Sequence, residues 1–103
     1  MATFVLVTKL NDDLLCEAGE RKAAGTNWLK RVKELCPGVK WISHYALLGR
    51  YDFMDIYEAK DVETAQKVAL LSRMLGAREV ESWQATPYDD FLKILEEVSE
   101  SVE

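Results

Sequence analysis

The chain has 103 residues, with 13 basic and 18 acidic side chains and a net charge of −5, so it has room for one domain over 1–103 and its field does not draw it to nucleic acid or anionic lipid. A hydrophobic share of 49% beside 30% charged residues fits a globular domain and excludes a disordered one. Two cysteines are too few for a disulfide framework, and with no basic n-region and no apolar run near the roughly 20 residues of a membrane span, a cytoplasmic protein with no membrane partner is expected.

Residues Ala2 to Leu10 alternate with β-branched residues and are apolar on both sides, which predicts a central strand. Asn11 follows as an N-cap, with Asp12 and Asp13 in the first turn. Helical periodicity then runs to about Leu35, but Gly19 and Gly25 each cost about 1 kcal/mol relative to Ala in a helix interior. The expectation is a short early helix, an irregular stretch over Gly19 to Thr26, and a firm helix from Asn27. Trp28, Leu29, Val32 and Leu35 share its inner face, and Cys36-Pro37-Gly38 ends it.

Val39 to Leu48 and Tyr51 to Ala59 read as two strands joined at Gly49-Arg50, an antiparallel hairpin with Gly49 at positive φ. Asp61 caps a helix through about Leu75, with Val62, Ala65, Val68, Ala69 and Ser72 turned inward, and Gly76 closes it. Ala77 to Ala85 carries Arg78, Glu79 and Glu81, as suits an edge strand. Thr86-Pro87-Tyr88-Asp89 reads as N-cap, N1 proline and acidic N3 of a last helix. Its stripe is Tyr88, Phe91, Leu92, Leu95 and Val98, and its acidic tail is expected to fray.

The order β-α-β-β-α-β plus a C-terminal helix predicts an α+β, ferredoxin-like fold: a four-stranded antiparallel sheet with two helices on one face. The other face then needs a cover. Alternation groups Ile42, His44, Ala46 with Met54 and Ile56 as the side beneath the helices, and leaves Trp41, Ser43, Tyr45, Phe53, Asp55 and Tyr57 on the open side. Rings that each bury on the order of 150–250 Å² are too much apolar surface to leave wet. A second copy related by a two-fold axis is the simplest cover, giving a barrel across a homodimer. Either the aromatics fill that interface, or they enclose a small-ligand pocket in which Asp55 is the internal polar group.

Gly49-Arg50-Tyr51-Asp52, then Phe53-Met54-Asp55-Ile56-Tyr57-Glu58-Ala59 and Asp61, resembles the signature of the GYD domain family. The resemblance extends to Phe4 through Leu10, to Glu81-Ser82-Trp83 and to Pro87. It implies a stand-alone member of the dimeric α/β-barrel group. The hairpin is also similar to that of Lrp/AsnC effector domains, which bind amino acids between subunits. No helix-turn-helix precedes the first strand here, so a DNA-binding regulator is not expected of this chain. Gly49, Tyr51 and Asp52 have a structural reading, with Asp52 bonding turn amides, beside a functional one in which Asp52 binds a cation at the barrel mouth. The candidate ligand-binding residues are Trp41, Tyr45, Tyr51, Asp52, Phe53, Asp55 and Tyr57.

His44 is the single histidine. Its parity points it at the helices, as a hydrogen-bonded core or strand-end residue, and without a second histidine nearby it lacks a metal-ligand set. Cys16 and Cys36 read as inert small hydrophobes. Arg21, Lys22, Lys30, Arg31 and Lys33 read as a solvated basic face. No phosphate-binding glycine motif is present, and no cofactor is expected. The expected function is a non-enzymatic, self-associating protein that holds a small ligand at its subunit interface. A cofactor-free or haem-dependent enzyme using the barrel interior, or a purely structural oligomeric scaffold, is the alternative.

Overall fold

The computed structural model describes residues 1–14 (Leu14 by its backbone) and 17–103. The elements are β1 (Ala2–Leu10), a 3-10 turn (Asp12–Leu14), α1 (Ala18–Leu35), β2 (Lys40–Ala46), β3 (Phe53–Ala59), α2 (Val62–Met74), β4 (Ala77–Ala85) and α3 (Tyr88–Ser101). The sheet order is β2-β3-β1-β4 with every neighbouring pair antiparallel. This is the ferredoxin-like sheet expected from the element order, with β1 central and β4 at an edge. The expectation for Cys16 lies outside the described residues.

α1 runs unbroken through both glycines where an irregular stretch was expected. Glu17 is the N-cap, and its carboxylate accepts from the amides of Gly19 (2.9 Å) and Glu20 (2.7 Å). Satisfying two of the orphan N-terminal donors offsets the glycine cost. α2 is capped as its sequence indicates: Asp61 Oδ1 accepts from the Thr64 amide (2.9 Å) and hydroxyl (2.6 Å). These bonds hold the Glu17 and Asp61 carboxyls below their ordinary range. Gly76, φ 109°, ends α2 in a conformation that needs a glycine. α3 begins one residue late, with Pro87 at the cap position and no side-chain cap from Thr86.

The β2–β3 connection is longer than a tight hairpin, since the strands stop at Ala46 and resume at Phe53, and Gly49 does not take a positive φ. Instead Asp52 knits the turn to β1. Its amide donates to the Thr8 carbonyl (2.8 Å), its carbonyl accepts from the Leu47 amide (2.8 Å), and its Oδ2 accepts from the Leu10 amide (2.8 Å).

The largest correction concerns the sheet faces. The core between sheet and helices contains Phe4, Leu6, Tyr57 and Ala59 with Val32 of α1 and Ala65 and Val68 of α2, and Trp41 packs against it. Trp41, Phe53, Asp55 and Tyr57 therefore lie beneath the protein's own helices, not on the open face. The helices bring mostly small residues to this layer, so the sheet supplies the bulk that fills it. Register explains the rest. Trp41 pairs with Tyr57, but Ser43 pairs with Ile56 and His44 with Asp55, so β2 bulges at Ile42. That extra residue puts Trp41 and His44 on the same side. The open face carries Val5, Met54, Ile56, Ser43, Tyr45 and Trp83, of which Tyr45 (54%) and Trp83 (48%) are well exposed.

α1 and α2 are pinned together where Trp28 Nε1 donates to Ser72 Oγ (2.9 Å), which donates to the Val68 carbonyl (2.8 Å). Val62, expected inward, is exposed. α3 projects from the body with no buried residue, and its whole apolar stripe is open to solvent.

Candidate functional site

The bulge in β2, the start of β3 and the N-terminal half of α1 line a half-open cavity of about 560 Å³. Its walls include Thr8, Trp28, Trp41, Ile42, His44, Phe53 and Asp55, with Arg21, Lys22, Ala24 and Gly25 from α1. A cavity of this size holds a small organic molecule. It lies inside one protomer, whereas the alternation pattern pointed to a pocket between subunits.

Its polar centre is a pair. His44 Nδ1 lies 2.6 Å from Asp55 Oδ1, directly across the β2–β3 ladder. Asp55 is buried, with 6% of its side chain exposed, while the imidazole is 60% exposed. Burial pushes the Asp55 carboxyl above its ordinary value, and the attraction and hydrogen bond of His44 partly oppose this. Its native proton affinity therefore exceeds that of the unfolded chain. Asp55 contributes stability that is full below the ordinary aspartate value and is lost as pH rises through the raised one. In thermal melts, an Asp55→Asn variant should accordingly gain on the parent as pH climbs through that interval; a constant difference would contradict the burial effect.

Rings build the walls. His44 stacks on Phe53 (centroids 5.4 Å, 14°), and the Arg21 guanidinium lies 5.4 Å from the same Phe53 ring. Trp41 meets Trp28 edge-on at 5.4 Å and leans on Tyr57 at 5.0 Å, and Tyr57 stacks on Phe4 at 5.7 Å. Two buried polar atoms, Trp41 Nε1 and Tyr57 Oη, have no hydrogen-bond partner among the described residues. Burial raises the Tyr57 phenol, partly offset by Ser82 nearby. Cys36, at the C-cap of α1, is buried, and desolvation raises its thiol, as suits an inert residue.

Of the seven candidates named from sequence, the structure brings Trp41, Phe53 and Asp55 to the cavity. Tyr57 sits in the core behind Trp41, fully buried. Tyr45 faces the other side of the sheet. Tyr51 lies in the turn under the Arg50 guanidinium (5.4 Å), and Asp52 is engaged by backbone. The alternation pattern missed the His44–Asp55 pair and the reach of Arg21 and Lys22 into the cavity. Among the described residues, no cluster of three or more potential metal ligands occurs, and no helix is long and apolar enough to cross a membrane.

The GYD domain model matches residues 4–95. A Thermus thermophilus protein named "Glutamine synthetase and cystathionine beta-lyase binding protein" is 28% identical over 95 residues, which cover 89% of this chain and 96% of the relative. Among solved structures, a protein from Thermus thermophilus aligns with a TM-score of 0.59 at 19% identity, covering 84% of this chain and 95% of that one. A dabb family protein with a ferredoxin-like fold from Mesorhizobium loti gives 0.58 at 13% identity, covering 84% and 95%. A dimeric ferredoxin-like protein of unknown function from Thermobifida fusca gives 0.52 at 14% identity, covering 84% and 90%. These structural likenesses support the fold read from the strand order.

Proposed function

Since this chain belongs to the GYD domain family, we propose that it is a small self-associating binding protein that holds a flat, largely apolar ligand within each protomer, under α1. The cavity beside the His44–Asp55 pair carries this reading, because ring-lined space with one convergent polar group is what a small molecule needs for affinity and orientation. Self-association is proposed through the open sheet face, with Val5, Met54, Ile56, Tyr45 and Trp83 as the buried surface. Two cationic side chains on α1, Arg21 and Lys22, favour a ligand with an anionic group.

1-Anilinonaphthalene-8-sulfonate, flat and anionic, tests the reading. It should bind saturably at one site per protomer, with energy transfer from tryptophan. Ala24, half-buried on the cavity wall, should abolish most of that binding when replaced by Phe: filling the space costs about tenfold or more in affinity, roughly 1.4 kcal/mol or above. Equal binding by a folded Ala24→Phe protein would sink the proposal. A second reading, docking of a partner protein, is favoured by the uncovered stripe of α3 and by the name of the 28% identical relative.

A further inference from the structure

We propose that His44, oriented by Asp55, is a general base that removes a proton from a flat carbon acid bound in the cavity, with Arg21 facing the anion that forms. This rests on the ligand site proposed above and assigns it a chemistry.

The geometry carries the assignment. Asp55 Oδ1 lies 2.6 Å from Nδ1; an ionised carboxylate there can only accept, which selects the tautomer with its proton on Nδ1. Nε2, with no hydrogen bond among the described residues, then keeps a lone pair for a ligand. The carboxylate is buried and in register with the imidazole, whereas the imidazole is largely exposed and lines the cavity. An imidazole backed by a buried carboxylate and lining an open cavity is the arrangement a base needs. The Phe53 ring lies against both His44 and the Arg21 guanidinium. A flat substrate on that wall would have a base and a cation within reach together. Among the described residues, Arg21 and Lys22 are the other charged groups lining the cavity, both on α1.

The step balances without a co-reactant. The substrate C–H bond breaks, its proton bonds to Nε2, and the electron pair moves into the substrate as a delocalised anion. Asp55 keeps the Nδ1 proton as its hydrogen-bond partner and stabilises the imidazolium. Return of the proton to another atom of the anion restores neutral His44 and completes an isomerisation. Asp55 is a positioning residue here, and His44 the catalytic one.

5-Nitrobenzisoxazole is a suitable probe: a base takes its ring C–H proton, the N–O bond breaks, and a coloured cyanonitrophenolate leaves. The full-length protein should open it faster than an equal concentration of free histidine, by about a hundredfold for a positioned base. His44→Gln should lose that gain while the probe still quenches tryptophan fluorescence saturably. Because the chain has one histidine, nitrogen-15 NMR reads its tautomer and titration without overlap. The parent should show the Nδ1–H form, and its rate should rise with the measured deprotonation of that ring. Asp55→Ala should return the ring to the Nε2–H form and move the pH–rate profile with it. Quenching without ring opening, or ring opening that His44→Gln leaves intact, would overturn the base and leave the binding site standing. No quenching at any concentration, together with a failed anilinonaphthalene titration, would overturn both.

Discussion

Tyr57→Ala should lower stability by about 3–5 kcal/mol, the cost of emptying a buried aromatic site. For a domain near 100 residues this is a fall in Tm of roughly 15–30 °C. Tyr57 is fully buried between Phe4 and Trp41, in the layer where Val68 and Val32 close from the helices. None of these neighbours can collapse into the gap without breaking its own ring or strand contacts. The companion change is far milder. Tyr57→Phe removes a buried hydroxyl that has only Ser82 near it among the described residues, and should change stability by no more than about 1 kcal/mol, since little bonding offsets its desolvation. Denaturant melts of both variants check the pair. A more strongly destabilised Tyr57→Phe would mean that a water or ligand bonds the hydroxyl in solution.

On the proposed open-face self-association, Ile56→Glu should yield a folded monomer. Ile56 lies on β3 with Val5 and Ser43 beside it on the open face, remote from the helix-side core. A charge buried there without a partner costs about 3–5 kcal/mol, which weakens self-association by roughly a hundredfold to several thousandfold. Light scattering at micromolar protein reads the mass, and far-ultraviolet circular dichroism should stay that of the parent. An unchanged mass would refute the open-face interface. Phe53, which strict alternation assigns to that interface, is unsuitable as a probe: it lies against Arg21 and His44 under α1, so its substitution reports on the cavity.

Element order, the Asp61 and Gly76 boundaries and the edge position of β4 were legible because each depends on local spacing or on one residue's conformational preference. The site was not. Period-2 counting separates Trp41 from His44 by an odd number of residues, and only a bulge at Ile42, decided by pairing with β3, puts them together. On β3 the alternation itself held, but which side met the helices depended on bulk. Large rings looked like interface residues until the small inward set of α2, Ala65 and Val68, made them the natural filling of the core. The Glu17 cap was missed for a different reason: glutamate is a poor N-cap by preference, and here its longer side chain reaches two amides.

α3 bears a consequence for how ordered the molecule is. A 14-residue helix with no buried residue gains almost nothing from tertiary packing, and isolated helices of that length are marginal in water. Its order is then a matter of mass action: binding of the exposed stripe to another copy or a partner would favour helix over coil, so the protein's helix content is expected to rise with its own concentration.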